Sequence, residues 1–389
     1  MTETTAAERA WDLVVFGATG FVGRLIAEYL ARHAPAGLRV ALAGRSEEKL
    51  RALRAQVERE DFGVIVADVD APSTLAAMAR AAKVVMTTVG PYVRWGEAVV
   101  QACVAGGAHY LDLTGEPAYV GRIAQNYHEA ARARGVAIVP CCGFDSIPPD
   151  LGAYFTVLQL PEGAAVTVTG TMTGRGSPSG GTVASALGVI ADAKNRDARQ
   201  VDAVAGAQRL VRGGRVKVRY DREARLWVAP LPTIDPAIVR RSARLVERYG
   251  PDFSYQHQVG FPSLAAMVGA GIGVGAIAAL AQLGAGRRWL GRLRPQGEGP
   301  SAEVRARSWF RMRFVGVGGG VRVVTEMNGG DPGYDETAKM FSEAALCLAL
   351  GESRPEGGVL TPVAAVGDAL LLRLEAAGLG MRVVERGPA

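Results

Sequence analysis

A glycine-rich turn near the start of the chain places the strongest constraint on the fold. The segment Val14–Gly23 reads VVFGATGFVG, an apolar run followed by glycines at three-residue spacing, and an amphipathic stretch continues to Ala34. This order of strand, tight turn and helix suits a dinucleotide, because glycine lets the backbone approach the pyrophosphate and the free N–H groups of the helix face its charge. We therefore predict that the cofactor contacts Gly17, Thr19, Gly20, Phe21 and Gly23.

Residues 11–140 alternate short apolar runs with amphipathic or charged stretches. Several of the apolar runs are continuous, which is typical of strands covered by helices on both faces. The pattern predicts a Rossmann-type doubly wound parallel sheet, whose ligand lies at the carboxyl ends of the strands. The six expected strands are Leu13–Phe16, Leu38–Ala43, Val64–Ala67, Val84–Val89, His109–Leu113 and Val136–Pro140.

The pattern changes after Gly143. Val166–Thr173 alternates valine and threonine, and Ser308–Gly316 with Val321–Met327 forms an expected hairpin, so the middle of the chain predicts an α+β domain on an antiparallel sheet. The tail predicts helices and a short strand. We expect a dinucleotide-binding Rossmann domain over residues 1–145, a second domain over 146–330, and a C-terminal helical segment over 331–389.

The length, net charge and cysteine content of the chain exclude several classes of function. The chain has 389 residues, enough for two domains, a net charge of +6 and four cysteines without metal-site spacing. No basic run interleaved with aromatic residues indicates a nucleic-acid face, and the N-terminal residues do not resemble a signal peptide. These features predict a cytoplasmic protein without a metal site.

An uncharged apolar run lies between Gly260 and Arg287. It is long enough to span a bilayer, but its glycines and alanines insert weakly, and small residues four apart can also pack helices closely. Arg287 and Arg288 follow it, as they would at an anionic membrane surface. The segment 261–286 is either a buried or interface helix or a peripheral contact with the inner face of the plasma membrane.

The end of the second strand decides the choice of cofactor. An NAD site normally has a carboxylate there, whereas this chain has Arg45 and Ser46. A guanidinium binds a 2′-phosphate with two parallel hydrogen bonds, and a carboxylate would repel it. We therefore predict NADPH as the cofactor. Asp68, after the third strand, either accepts a hydrogen bond from the adenine amino group or caps the next helix.

Further candidates follow the fourth and sixth strands. Gly90 and Pro91 end the fourth strand on the expected nicotinamide side, and Tyr92 either donates a hydrogen bond to a substrate oxygen or packs at the domain junction. Asp145 and Ser146 follow the sixth strand, where they either orient substrate or cap a turn. We predict catalytic roles for Tyr92, Asp145 and Ser146, while Ser177, Ser179 and Thr182 would cover the cofactor from the second domain.

Several motifs together resemble the saccharopine dehydrogenase-like NADP-binding oxidoreductase family. They are GATGFVG, LAGR, VGPY, ACVAGGAHYLDLTGE and GFDSIPPDLG. The later segments GGTVAS, GEGP and GGDPGYDETAKM resemble one branch of it, the trans-acting enoyl reductases of phthiocerol and phenolic glycolipid assembly.

The resemblance implies an NADP-binding Rossmann domain over 1–145, an inserted α+β substrate domain over 146–330, and a C-terminal segment over 331–389 that packs back on the first domain. It further implies NADPH-dependent reduction of a double bond in an acyl chain carried on a polyketide synthase or acyl carrier protein. It also implies that Gly17, Gly20 and Gly23 face the pyrophosphate, Arg45 the 2′-phosphate, and Gly90–Tyr92 the nicotinamide. Two alternatives stay open: reduction of another small metabolite, and a non-catalytic lipid-associated protein that retains the dinucleotide fold.

Overall fold

The computed structural model describes residues 9–176, 201–282 and 299–389, apart from residues 205, 207, 208, 215 and 232. The predicted contacts of Ser177, Ser179 and Thr182 therefore lie outside the described residues, as do Arg287 and Arg288.

The first part of the chain alternates strands and helices as the sequence predicts. Its strands are β1 Trp11–Phe16, β2 Val40–Gly44, β3 Gly63–Val66, β4 Ala82–Thr87, β5 His109–Asp112 and β6 Ala137–Val139. Its helices are α1 Phe21–His33, α2 Glu47–Gln56, α3 Pro72–Ala81, α4 Tyr92–Gly106 and α5 Pro117–Ala133.

These six strands form a parallel sheet in the order β6-β5-β4-β1-β2-β3. The order reverses beside β1, which pairs with β2 on one side and β4 on the other. Leu13 and Val15 pack into the core below α1 and α2, and Val14 and Phe16 into the core below α3, α4 and α5. Both faces of β1 are thus covered, which explains its continuous apolar sequence and confirms the doubly wound sheet.

The middle of the chain forms a second sheet with helices on its inner face. Its strands are β7 Val166–Arg175, β8 Leu210–Gly213, β9 Arg219–Asp221, β10 Leu226–Pro230, β11 Asp252–Phe261, β12 Trp309–Gly318 and β13 Val321–Gly329. Its helices are α6 Ile147–Leu158, α7 Asp235–Leu245, α8 Leu264–Gln282 and α9 Ala302–Ala306, with a 3₁₀ turn at Glu247–Tyr249.

The second sheet is mixed, so the expectation of an antiparallel sheet was wrong. β7 and β11 pair in parallel, and β8 also pairs with β11 in parallel. A parallel pair requires a crossover connection, and α7 lies in the chain between β7 and β11 and packs on β11. The predicted hairpin of β12 and β13 is confirmed, and Gly319 and Gly320 provide the positive φ angles of its two-residue turn.

The C-terminal segment contributes to both sheets. Its elements are α10 Asp335–Ala349, β14 Gly358–Val359, α11 Pro362–Ala376 and β15 Gly380–Pro388. α10 packs on α1, β1 and β4, and β14 extends the first sheet beside β6. β15 instead pairs with β13 at the edge of the second sheet, so the segment ties the two sheets together.

Helix α8 covers much of the uncharged apolar run. Its large apolar side chains Leu264, Val268, Ile272 and Val274 are exposed. For the described residues of this segment, the alternative that it forms a buried helix is therefore wrong. None of the described helices is both long and apolar enough to cross a membrane.

Candidate functional site at the carboxyl edge of the first sheet

The glycine turn after β1 has the conformation that a bound dinucleotide requires. Gly17 has a φ of +87°, and a Cβ added to it would lie 2.6 Å from Thr88 Oγ1. A Cβ on Gly23 would collide with the carbonyl oxygen of Gly17. The Thr88 hydroxyl donates to the Gly17 carbonyl at 3.1 Å and holds the turn against β4. The amino end of α1 is therefore open to an anion and has no first-turn acid to repel it.

Phe21 and Thr19 extend this turn in two directions. The Phe21 ring meets the Tyr334 ring edge to face, with centroids 5.1 Å apart, and so ties the turn to the segment before α10. Thr19 is half-buried beside Gly44 at the end of β2. The turn therefore contacts both β2 and the C-terminal segment.

Arg45 and Asp68 follow neighbouring strands. The Ala67 N–H donates to the Gly44 carbonyl at 3.0 Å, which places the ends of β2 and β3 side by side. Arg45 is exposed and has no ion-pair partner among the described residues. A free guanidinium at this edge fits a 2′-phosphate, although its contact with one stays a prediction.

Ser46 and Asp68 already have local hydrogen bonds. Ser46 is the N-cap of α2, and its hydroxyl accepts from the Lys49 N–H at 3.3 Å. The Asp68 carboxylate accepts from the Asp70 N–H at 3.1 Å and forms a turn, while Ala71 is the N-cap of α3. Asp68 therefore does not cap the next helix, and the cofactor-binding roles of Ser46 and Asp68 stay predictions.

Tyr92 directs its hydroxyl into the protein. The hydroxyl donates to the Thr87 carbonyl at 3.1 Å and accepts from the Leu113 N–H at 3.3 Å. Burial raises the pKa of this phenol well above its ordinary value. Glu116 caps the amino end of α4 by accepting from the N–H groups of Tyr92 and Val93. Tyr92 thus joins β4 to β5 beside the predicted nicotinamide position, next to Gly90 and Pro91.

Asp112 is the centre of a satisfied buried network at the end of β5. Its carboxylate accepts from the N–H groups of Thr114 and Cys141 at 2.9 and 3.0 Å, and from the Tyr110 hydroxyl at 2.8 Å. Burial raises the pKa of Asp112 to about 6, while these three donors favour the charged form. Cys141 has a φ of +64°, an uncommon conformation for a non-glycine residue, which this network holds in place.

Asp145 and Ser146 follow β6 and meet helix α7 of the second domain. Ser146 is buried, and its hydroxyl makes a long hydrogen bond of 3.5 Å to Asp235 Oδ1. The other oxygen of Asp235 accepts from the Thr233 hydroxyl at 2.7 Å. Burial raises the pKa of Asp235 well above its ordinary value, and the charge of Asp145 raises it further. The two predicted residues therefore lie beside an acid that the sequence did not indicate.

His257 completes this group from β11. Its Nδ1 lies 3.0 Å from the Tyr255 hydroxyl and its Nε2 lies 3.7 Å from Asp235 Oδ2. Nε2 is buried without a hydrogen-bond partner. Burial lowers the pKa of His257 to about 4, so the imidazole is neutral at physiological pH. The only sequence signal for its position is alternation along β11, which places Phe253, Tyr255 and His257 on one face.

A cavity of about 280 Å³ adjoins this group. Asp145 lies in its wall, together with Arg175 and with residues of β7, β11 and the segment before α10. The apolar lining includes Phe144, Met172, Val259, Phe261 and Pro332. Val259 is two residues from His257 on the same face of β11, so the imidazole lies on the side of this strand that faces the cavity. The cavity can hold an apolar chain beside a carboxyl group.

The similarity to known proteins agrees with this geometry. Residues 13–139 match the family model "Saccharopine dehydrogenase NADP binding domain". The apo structure of the L-Glu-forming saccharopine dehydrogenase of Saccharomyces cerevisiae covers 96% of this chain and 99% of its own, with a TM-score of 0.58 and 14% identity. This likeness shows the shared fold. The chain is an NADP-dependent oxidoreductase with that fold, and its cofactor is NADPH.

The relatives define the family more closely. One relative is a Mycobacterium tuberculosis protein with the provisional name of trans-acting enoyl reductase. It is 40% identical over 97% of this chain and 98% of its own. The trans-acting enoyl reductases of Mycobacterium bovis and Mycobacterium ulcerans are 36% and 33% identical, each over 96% of this chain and 98% of theirs. The chain belongs to the trans-acting enoyl reductase family, as its motifs predicted.

Proposed function

We propose that the protein reduces the carbon–carbon double bond of an enoyl chain carried as a thioester on a polyketide synthase or acyl carrier protein, in lipid biosynthesis. The observation that carries the proposal is the apolar cavity that adjoins the carboxyl edge of the first sheet and has Asp145 in its wall. The family names of the relatives support the same reaction class. Among the described residues, Ser146, Asp235 and His257 lie together, but the two ring nitrogens of His257 face Asp235 and Tyr255 rather than Ser146, so they do not form a nucleophilic triad. Hydride transfer requires no such nucleophile.

We assign the residues of the cofactor edge as follows. NADPH, when bound, supplies a hydride to the β-carbon of the enoyl chain. The backbone of the glycine turn binds the pyrophosphate, since Gly17 and Gly23 leave the space that side chains would fill. Arg45 pairs with the 2′-phosphate. Gly90 and Pro91 border the nicotinamide, Ser46 contacts the ribose phosphate from the N-cap of α2, and Asp68 lies near the adenine.

The cavity orients the substrate. Met172, Val259 and Phe261 bind the acyl chain by burying its apolar surface, and Asp145 and Ser146 lie at the reacting end. Tyr92 is a positioning residue in this scheme, because its hydroxyl is already bonded to Thr87 and Leu113. It holds the loop after β4 in place rather than donating to a substrate oxygen.

The test is NADPH oxidation with α,β-unsaturated pantetheine thioesters of increasing chain length. We expect a saturated thioester product by mass spectrometry, with the deuterium of labelled NADPH on the β-carbon, and faster turnover of the longer chains. Tyr92→Phe retains most of the activity if Tyr92 positions the loop, and loses it if the phenol contacts substrate. The proposal fails if no enoyl thioester is reduced, or if only carbonyl or imine compounds are.

We also propose that helix α8 makes a peripheral contact with membrane lipid. Its exposed, uncharged surface supports this, since Leu264, Val268, Ile272 and Val274 project into solvent. Flotation with anionic vesicles tests it: the wild type should rise with the vesicles, and Ile272→Glu should remain at the bottom. Flotation of both proteins alike, or of neither, contradicts the contact.

A further inference from the structure

The proposed reduction requires a proton as well as a hydride. Addition of hydride to the β-carbon moves the π electrons onto the α-carbon and the thioester carbonyl, and the α-carbon must then gain one proton. The proton does not come from the residues predicted to bind the cofactor, because the glycine turn and Arg45 provide no acidic side chain.

We propose that Asp145 and Asp235 form a carboxyl pair that delivers this proton to the α-carbon, with His257 as the positioning residue behind them. The inference rests on the proposed enoyl reduction. Asp145 lies in the cavity wall, and the hydroxyl of the next residue, Ser146, lies 3.5 Å from Oδ1 of Asp235 on the first turn of α7.

The surroundings of Asp235 keep a proton on the pair. Asp235 is buried, and the charged and titratable groups around it are Asp145, Cys141, Tyr255 and His257. Two of these are on β11 and two on the segment after β6. Burial holds the imidazole neutral, and burial together with the charge of Asp145 disfavours a carboxylate at Asp235.

His257 lacks the hydrogen bond that a buried imidazole ordinarily makes. Its Nδ1 is paired with the Tyr255 hydroxyl, while Nε2, with a side chain 1% exposed, is directed at Asp235 Oδ2 from 3.7 Å without a partner. An unpaired buried polar atom destabilises a fold, so its presence here requires an explanation. A small movement of Asp235 as its proton leaves would bring the carboxylate within hydrogen-bond distance of this nitrogen.

The step balances with one proton per double bond. Asp235 holds the proton while Asp145 is charged. Asp145 takes this proton from Asp235 and gives it to the α-carbon, as the electrons of the enolate form the new C–H bond. Asp235 then regains a proton from solvent. The thioester is not cleaved, and each turnover consumes one hydride and one proton.

The main test compares Asp235→Asn and Asp145→Asn with Asp150→Asn, a matched control on α6. Asp150 is buried with a raised pKa but accepts from the Val363 N–H, away from the cavity. Each of the first two substitutions should lower kcat about 100-fold, the usual contribution of a general acid, with the Kd for NADPH unchanged. Asp150→Asn should leave kcat and Kd as they are.

The pH profile separates proton delivery from a purely structural role. Because the acid must be protonated, wild-type kcat should fall as the pH rises and the pair ionises, and Asp235→Asn should lack this fall. His257→Gln should shift the pH at which the fall occurs, with a smaller loss of kcat. Unchanged kcat in Asp235→Asn, or an unchanged profile in both variants, overturns the proposal.

Infrared spectroscopy of the ligand-free protein distinguishes failure of this inference from failure of the proposed function. At pH 9, where Asp150 is ionised because its pKa is about 7, the wild type should show a protonated carboxyl band that Asp235→Asn lacks and Asp150→Asn keeps. Absence of the band contradicts the carboxyl pair even in an active enzyme. A band without reduction of any enoyl thioester contradicts the proposed function and leaves the pair intact.

Discussion

Two buried carboxyl groups, one at the end of β5 and one on helix α7, differ in how many hydrogen bonds their oxygens accept. Asp112, at the end of β5, accepts from two backbone N–H groups and a tyrosine hydroxyl at 2.8–3.0 Å. Asp235, on α7, has one short hydrogen bond, one at 3.5 Å and an imidazole nitrogen at 3.7 Å. A carboxyl group held by three donors stabilises the fold, whereas one with few donors keeps its proton and can exchange it.

The largest expected difference between the two is in stability. Asp112→Ala leaves three buried donors without an acceptor and should lower the free energy of unfolding by about 3–6 kcal/mol. Asp235→Ala removes one short bond and should change it by less than about 1.5 kcal/mol. Urea unfolding at pH 5, below the pKa of Asp112, measures both.

Tyr110→Phe is the control for Asp112, because it removes one of the three donors. It should cost about 1 kcal/mol. Equal losses from Asp112→Ala and Asp235→Ala would mean that the two acids do not differ as their hydrogen bonds indicate.

Asp150 is a third buried acid, and its pKa lies in a pH range where the free energy of unfolding can be measured. Burial raises its pKa to about 7 from an ordinary value of 3.8. The folded protein therefore binds more protons than the unfolded chain between these values, and stability falls as the pH rises from about 4 to 7 and then levels off. Asp150→Asn cannot ionise, so the variant should lack up to about 4 kcal/mol of this fall.

The measurement is the difference in unfolding free energy between the variant and the wild type across pH 4.5–8. It should increase with pH in favour of Asp150→Asn. Asp70→Asn, at an exposed acid, is the control and should follow the wild type throughout. A constant difference between Asp150→Asn and the wild type would show that Asp150 does not titrate as a buried acid.

The smallest expected effect is on the cofactor edge. Arg45 is exposed and has no ion-pair partner among the described residues, so Arg45→Ala should hardly alter stability. It should weaken NADPH binding about 10–100-fold, because charge-assisted hydrogen bonds contribute about 1.5–3 kcal/mol. NADH binding should change much less. Fluorescence titration with both cofactors measures this, and an equal loss for the two would refute the contact with the 2′-phosphate.

Much of the first domain could be predicted from local sequence. The glycine spacing, the continuous apolar strands and the amphipathic helices are properties of neighbouring residues, and β1 and α1 lie close to where the sequence places them. Arg45 could be found in the same way, since its position follows from the end of one strand. The hairpin of β12 and β13 is another local prediction that the structure confirms.

The sequence by itself thus determined the doubly wound sheet, the dinucleotide turn and the family of the chain, because each depends on short-range patterns. Only the tertiary structure decided the parallel pairing of β7 and β11, the placement of β15 in the second sheet, and the meeting of Ser146 with Asp235, 89 residues apart. Contacts at such separations have no periodic signature. They form when distant elements of the chain pack together. The packing of α7 on β11 places His257, which no motif indicates, beside the buried Asp235.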